Sequence, residues 1–135
     1  MAFKTRESLD TNILLRLILK DVPGQCKKIM DLFMRHGYIY DVSDLAITEA
    51  VYVMQSSYAL SREEIVDGLG RLLWFPEIRY NRVLFDRVFP MYLENPKLSF
   101  NDCCLAAYAA LNGAEPLWTF DKALAKESGT AKLLG

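Results

Sequence analysis

The sequence predicts a helix-rich α/β protein: a three-layer α/β/α sandwich with a central, mainly parallel sheet. Helical periodicity dominates the chain, and two short segments typical of strands, "YIYDV" (38–42) and "PLWTF" (116–120), are each followed by a helical segment. Strands separated by helices favour parallel pairing, because a parallel crossover needs a dozen or more residues. The 135 residues can bury one core, and we predict a single domain over residues 1–135.

The first half of the chain contains four predicted helices around one clear strand. The predicted elements are a helix at 13–20, a helix from Pro23 to Gly37, a strand at 38–42, a helix at 44–58 capped by Ser43, and a helix opened by the capping box "SREE" at 61–64. Within the helix at 44–58, the predicted core stripe is Ile47, Val51, Met54 and Tyr58.

The second half contains shorter strands. Residues 74–80 contain a short strand, 81–95 form a helix that Pro90 kinks or breaks, 99–111 form a helix ending at Asn112-Gly113, 116–120 form a strand, and 121–128 form a short helix. The last segment, "GTAKLLG" (129–135), is too short to predict a final strand.

Composition excludes several classes of function. Seventeen acidic and sixteen basic residues give no global positive field of the kind that indicates nucleic-acid binding, although a local basic patch is compatible with this composition. The single histidine, His36, falls at a predicted helix end, so Ser-His or Cys-His catalysis is not expected. Cys26, Cys103 and Cys104 lack metal-site spacing and are expected to be reduced thiols. Neither a membrane span nor a signal-peptide core is found, and a cytoplasmic location is expected.

Four carboxylates stand at positions where local explanations compete with a functional one. Asp10 and Asp121 lie where strands give way to helices and are possible N-caps, while Asp102 has capping-box spacing from Ser99. Glu49 lies among apolar neighbours on its helix, where a carboxylate is costly unless it is paired, binds a metal or reaches water at the helix margin. Each acid therefore has a local interpretation, and the functional hypothesis depends on their combination.

The four segments that carry these acids resemble a known family. "LDTNILLRLIL" (9–19), "ITEAVYVM" (47–54), "FNDCCLAAYA" (100–109) and "LWTFDKAL" (117–124) occur in the order and spacing of the PIN-domain, or PilT N-terminal, family. More closely, the chain resembles the single-domain VapC-type ribonuclease toxins of toxin–antitoxin pairs.

The resemblance implies a catalytic and metal-binding set of Asp10, Glu49, Asp102 and Asp121, with Asn12 and Thr119 as supporting polar residues. The implied cofactor is Mg²⁺ or Mn²⁺, and the implied reaction is hydrolysis of RNA phosphodiester bonds. Clustered carboxylates need a compensating cation, and Mg²⁺ prefers oxygen ligands, so the chemistry agrees. Candidates for holding the substrate are Arg16, Lys20, Arg79, Arg82 and Lys122.

The first strand departs from the family pattern. An apolar run ending at the aspartate is expected there, yet Lys4, Arg6 and Glu7 stand in this stretch, and only Phe3 and Leu9 fit. The strand is therefore expected to be either short or irregular. This departure keeps a second hypothesis open, in which a PIN-like module binds RNA or a partner with little or no nuclease activity.

Two other enzyme and signalling classes fit poorly. Haloacid-dehalogenase-like phosphatases need a second aspartate two residues after the first, where this chain has Asn12. A receiver domain needs an early acid pair and a lysine after a late strand, which Lys122 does not supply.

The resemblance also implies partners: a homodimer and a small antitoxin protein. Residues 71–85, "RLLWFPEIRYNRVLF", are rich in the residue types that anchor interfaces. The competing interpretation is that Trp74 and Phe75 complete the core.

Overall fold

The computed structural model describes residues 4–135, so Phe3, which fits the expected first strand, lies outside the described residues. The chain forms two compact units, Met1–Asn81 and Arg82–Gly135. We call them the first and second unit and describe each by itself.

The first unit contains a three-stranded parallel sheet in the order β1-β2-β3. Its elements are β1 (Thr5–Leu9), α1 (Thr11–Leu19), α2 (Pro23–Phe33), β2 (Tyr38–Val42), α3 (Asp44–Ser56), α4 (Arg62–Leu73) and β3 (Ile78–Arg79). The strand at 38–42 and the short strand within 74–80 are confirmed. Helix α2 begins at Pro23 as expected but ends at Phe33, before Gly37, which adopts a positive φ of 84°.

Local capping fixes where most of these helices begin. Ser43 accepts a hydrogen bond from the backbone N–H of Ala46, and Ser61 forms the predicted capping box with Glu64. At the end of α1, Lys20 adopts the left-handed conformation, and its N–H binds the carbonyl of Arg16. The two serine caps depend on residues close in sequence, which is why the sequence predicts them.

Strand alternation gives the sheet one apolar face. Leu9, Tyr40, Val42 and Ile78 are buried, and the register places Leu9 beside Val42 and Tyr40 beside Ile78. Helix α2 covers part of this face: the Tyr40 hydroxyl donates to the carbonyl of Leu32 at 2.7 Å. The remaining core of the unit includes Leu14, Ile47, Ile65 and Leu69, all fully buried.

Strand β1 is regular although four of its five residues are exposed. Arg6 binds Asp41 on β2 at 2.7 Å, and Arg35 binds Glu7. Arg35 also donates to the Tyr40 hydroxyl at 3.0 Å and lies 3.8 Å from the centre of the Tyr38 ring. Residues 5–9 thus form a regular strand as long as β2, so the irregular alternative is wrong for them, and charged contacts stand where apolar residues were expected.

The second unit contains α5 (Arg82–Glu94), α6 (Phe100–Leu111), β4 (Leu117–Thr119), α7 (Lys122–Glu127) and β5 (Ala131–Leu133). Strands β4 and β5 pair in parallel. Helix α5 continues through Pro90 instead of breaking there. Helices α5 and α6 share an aromatic core, in which Phe100 stacks on Phe85 and meets Tyr92 edge-on. The final strand, which the sequence did not predict, pairs with β4.

The predicted α/β class with parallel strands is confirmed. His36 is exposed, as expected, and no disulfide involves the three cysteines in residues 4–135. Over the same range no helix has the length and apolar character needed to cross a membrane.

Candidate functional site

Asp10 stands at the carboxyl end of β1, where it caps α1. Its Oδ1 accepts a hydrogen bond from the backbone N–H of Ile13 at 3.0 Å, and the residue is exposed. An extended residue between a strand and a helix suits this role, since its side chain reaches the unpaired N–H groups of the first turn. The cap fixes the carboxylate at the edge of the sheet where sites of parallel α/β proteins form.

Thr11 joins Asp10 to Glu49. The Thr11 hydroxyl lies 3.1 Å from Glu49 Oε2 and 3.4 Å from the carbonyl of Ala46, so its single hydrogen is directed at the start of α3. Sequence analysis missed Thr11 because it singled out Asn12, the next residue, which is exposed. The available signal was a hydroxyl residue directly after the aspartate in "LDTN".

The local interpretation of Glu49, a carboxylate at the margin of its helix, is confirmed. The residue is exposed, and two of its apolar neighbours, Leu45 and Tyr52, are 80% and 69% exposed. The predicted core stripe is confirmed at Ile47, Val51 and Met54, which are fully buried, but not at Tyr58, which lies beyond the end of α3 and is 40% exposed. Glu49 therefore reaches water at the helix margin, and Thr11 holds one of its oxygens.

In the second unit, Asp102 completes a capping box at the start of α6. Its N–H donates to Ser99 Oγ at 3.0 Å, and its Oδ2 accepts from the N–H of Ser99 at 3.4 Å. Asp102 is half-buried. The box fixes the carboxylate at the head of a helix whose next turns contain buried Cys103, Ala106 and Ala107.

Asp121 caps α7. Its Oδ1 accepts from the N–H of Leu124 at 3.1 Å, and its own N–H donates to Thr119 Oγ1 at 2.9 Å. Thr119 therefore contacts Asp121 through the backbone, and the supporting role predicted for it stays a prediction. Both aspartates follow strands: Asp10 comes directly after β1, and Asp121 comes one residue after the end of β4.

All four carboxylates share one feature. In each, one oxygen accepts a hydrogen bond from a nearby donor, and the other oxygen has no hydrogen bond within residues 4–135. A carboxylate oriented through one oxygen presents the other to a ligand, and hard cations such as Mg²⁺ or Mn²⁺ take oxygen ligands of this kind. The donor chemistry of these residues therefore fits a divalent ion, and capping does not compete with metal binding.

The structure links only part of this set. Thr11 connects Asp10 and Glu49 within the first unit, while Asp102 and Asp121 belong to the second unit. In the part of the chain that is described, no group of three or more Asp, Glu, His and Cys side chains is gathered for metal binding. That the four acids act on one ion stays a prediction.

Parallel strands and a capped carboxylate at the end of the first strand define an α/β protein whose candidate site lies at the carboxyl ends of its strands. The PIN domain family matches residues 8–128, which include all four acids, and the chain belongs to that family. The PIN domain is generally a nuclease fold, and its members typically use divalent metal ions. No curated protein matches the chain.

Proposed function

We propose that this protein is an endoribonuclease that hydrolyses RNA phosphodiester bonds with the help of Mg²⁺ or Mn²⁺. Asp10, Glu49, Asp102 and Asp121 are the proposed metal ligands, and Asn12 and Thr119 the proposed supporting residues. The observation that carries the proposal is the hydrogen bond from Thr11 to Glu49 beside the capped Asp10, in a chain of the PIN domain family. That bond holds Glu49 of α3 to the residue that follows Asp10, and the N–H of Ile13 holds Asp10 at the end of β1.

The contribution of the chain is to orient carboxylates before substrate arrives. Asp10 is fixed by the N–H of Ile13 and Glu49 by the hydroxyl of Thr11, so each presents its second oxygen in a defined direction. When bound, a divalent ion supplies a water of lowered pKa and positive charge for the phosphate oxygens. This chemistry needs no histidine, which agrees with the single, exposed His36.

The test is cleavage of labelled RNA with and without Mn²⁺ by the wild type and by Asp10→Asn and Asp102→Asn. The expected result is metal-dependent cleavage that both substitutions abolish. Asp31→Asn is the matched control, because Asp31 is an exposed acid on α2 that forms only a surface ion pair with Lys27 at 3.5 Å. RNA binding without cleavage in the wild type would contradict the proposal and support the alternative, a PIN-like binding module.

We further propose that the protein is the toxin of a toxin–antitoxin pair and binds a small antitoxin protein. A groove of about 630 Å³ runs along α1, α2 and α4 and is lined mainly by apolar groups, including Leu17, Met30 and Phe75. Trp74, beside it, is 78% exposed, so the interpretation that Trp74 completes the core is wrong. Exposed aromatic and Met side chains around an apolar groove suit the apolar face of a partner helix.

The antitoxin proposal is tested by co-expressing the chain with the product of the neighbouring reading frame. A short protein that co-purifies and relieves growth inhibition is the expected result. Phe75→Ala should weaken the complex about tenfold, as expected for an interface anchor, while Tyr108→Ala, at an aromatic residue 55% exposed on α6 and outside residues 71–85, should leave it unchanged. Light scattering tests the proposed homodimer. Absence of any co-purifying protein contradicts the toxin assignment and leaves the nuclease assignment to its own test.

A further inference from the structure

The second face of the first unit's sheet is polar. The register sets Ser8 beside Asp41 and Asp41 beside Arg79, and Arg6 projects from the same side of β1 as Ser8. Parallel sheets usually carry apolar residues on both faces. Arg6 therefore belongs to a polar surface that extends across all three strands, whereas Glu7 lies on the opposite face beside Tyr40.

This surface contains a cavity of about 480 Å³ at the carboxyl ends of the strands. The polar residues that line it include Arg6, Ser8, Asp41, Ser43, Arg79 and Asn81. Ser43 is the N-cap of α3, so the first turn of a thirteen-residue helix begins at the cavity. Asn81 donates to Asp44 on α3 at 3.2 Å, which holds its side chain at the rim.

The charge of the lining is positive. Two arginines and one aspartate give a net charge of +1. Asp41 holds Arg6 through one oxygen, which accepts from Nε at 3.1 Å and Nη2 at 2.7 Å, and this fixes the plane of the guanidinium. The other oxygen of Asp41 is buried and has no hydrogen bond in residues 4–135. Arg79 is exposed and forms no ion pair in that part of the chain, so its charge is available.

We propose that this cavity binds a phosphate group of the RNA backbone, with Arg6 and Arg79 as its principal contacts. Guanidinium groups bind phosphate oxygens through paired N–H donors, and hydroxyl side chains and the start of a helix favour the same anion. The naming of RNA as the source of the phosphate rests on the proposed function. None of the four carboxylates lines the cavity, which would hold the substrate rather than cleave it.

The experiment measures binding of a fluorescein-labelled single-stranded RNA by anisotropy, in EDTA so that no metal-dependent cleavage occurs. The variants are Arg6→Gln, Arg79→Gln and the double variant. Arg71→Gln is the control, because Arg71 is an exposed arginine of the first unit that pairs with Asp67 at 3.2 Å on α4. The double variant should bind at least about fivefold more weakly, with a salt dependence reduced by about 0.7 per lost phosphate contact. The control should match the wild type, and Arg79→Lys should restore part of the affinity.

Arg6 also holds β1 to β2 through Asp41, so Arg6→Gln could weaken RNA binding by disturbing the strand. Arg79→Gln breaks no ion pair in residues 4–135 and therefore tests the cavity without that effect. Equal affinity of the wild type, Arg79→Gln and the double variant overturns the proposal. If inorganic phosphate raises the melting temperature of the wild type but not of Arg79→Gln, while RNA affinity is unchanged, the cavity takes a small phosphate and the RNA assignment is overturned. A wild type that binds RNA through these arginines but never cleaves it refutes the nuclease proposal and supports this one.

Discussion

Replacing Thr11 with Val removes the hydroxyl that orients Glu49 and keeps the shape of the side chain. The lost contact is one hydrogen bond of 3.1 Å to an ionised carboxylate. Such bonds contribute about 1.5 to 3 kcal/mol, and exposure of Glu49 to water reduces this to about 1 to 1.4 kcal/mol. Because 1.4 kcal/mol corresponds to a factor of ten, we expect about a five- to tenfold loss of apparent metal affinity.

The assay is RNA cleavage at a series of Mn²⁺ concentrations, which gives both kcat/KM and the apparent metal affinity. Thr11→Val should lower the apparent affinity about five- to tenfold, and Thr11→Ser should resemble the wild type. Thr48→Val is the matched control: Thr48 lies on α3, one residue before Glu49, but its hydroxyl binds the carbonyl of Leu45 at 3.0 Å.

The reasoning is refuted if Thr11→Val titrates with Mn²⁺ as the wild type does while Asp10→Asn is inactive. In that case the hydroxyl would serve only to join α1 to α3, through its second acceptor, the carbonyl of Ala46. A fall in melting temperature without any change in metal dependence would lead to the same conclusion.

Three further predictions concern the helix starts and α4. Ser99→Ala and Asp102→Asn each disturb the same capping box and should lower the free energy of unfolding in urea by about 1 kcal/mol. Only Asp102→Asn should abolish RNA cleavage. If the two variants cleave RNA equally, Asp102 acts as a helix cap alone. Gly68→Ala should destabilise the protein by about 1 to 3 kcal/mol, because a Cβ there would meet a methyl group of α1 at 2.8 Å. Gly70→Ala, with open space around it, should stabilise the protein by about 0.5 to 1 kcal/mol. Two hydrogen bonds with Ser61, first with its backbone N–H and then with its hydroxyl, lower the pKa of Glu64 below the usual 4.5. The contribution of Glu64 to folding stability is therefore present above pH 4.5 and is lost as the pH falls through the lowered pKa. The difference in melting temperature between the wild type and Glu64→Gln should therefore shrink between neutral pH and about pH 3, and an unchanged difference would contradict it.

The elements that the sequence predicts correctly are those with local causes. Ser43, Ser61 and Ser99 each bind an N–H three residues ahead, so the pattern that identifies them is complete within four residues. The strand at 38–42 is likewise bounded by residues that are close in sequence. The helix at 81–95 was also predicted, but the break expected at Pro90 does not occur, because α5 continues through that residue.

The features that the sequence does not reveal depend on residues far apart in the chain. The bond from Thr11 to Glu49 spans 38 residues, and the pair of Arg6 and Asp41 spans 35. No periodicity encodes which partner such a side chain meets, because the answer depends on strand register and helix packing. For the same reason the sequence left two interpretations of Glu49 open: a helical wheel gives the direction of a side chain but not where the neighbouring elements end.

The attachment of β1 has a consequence for the conditions under which the protein should be handled. Charge screening does not weaken apolar burial, but the contacts of Arg6 with Asp41 and of Arg35 with Glu7 lie at the surface, where mobile ions screen them over about 8 Å at physiological ionic strength. Concentrated NaCl should therefore loosen this strand before the rest of the first unit, and amide hydrogen exchange should quicken along β1 while β2 stays protected. Since Asp10 directly follows that strand, ionic strength becomes a means of adjusting the position of a proposed metal ligand without changing a single residue.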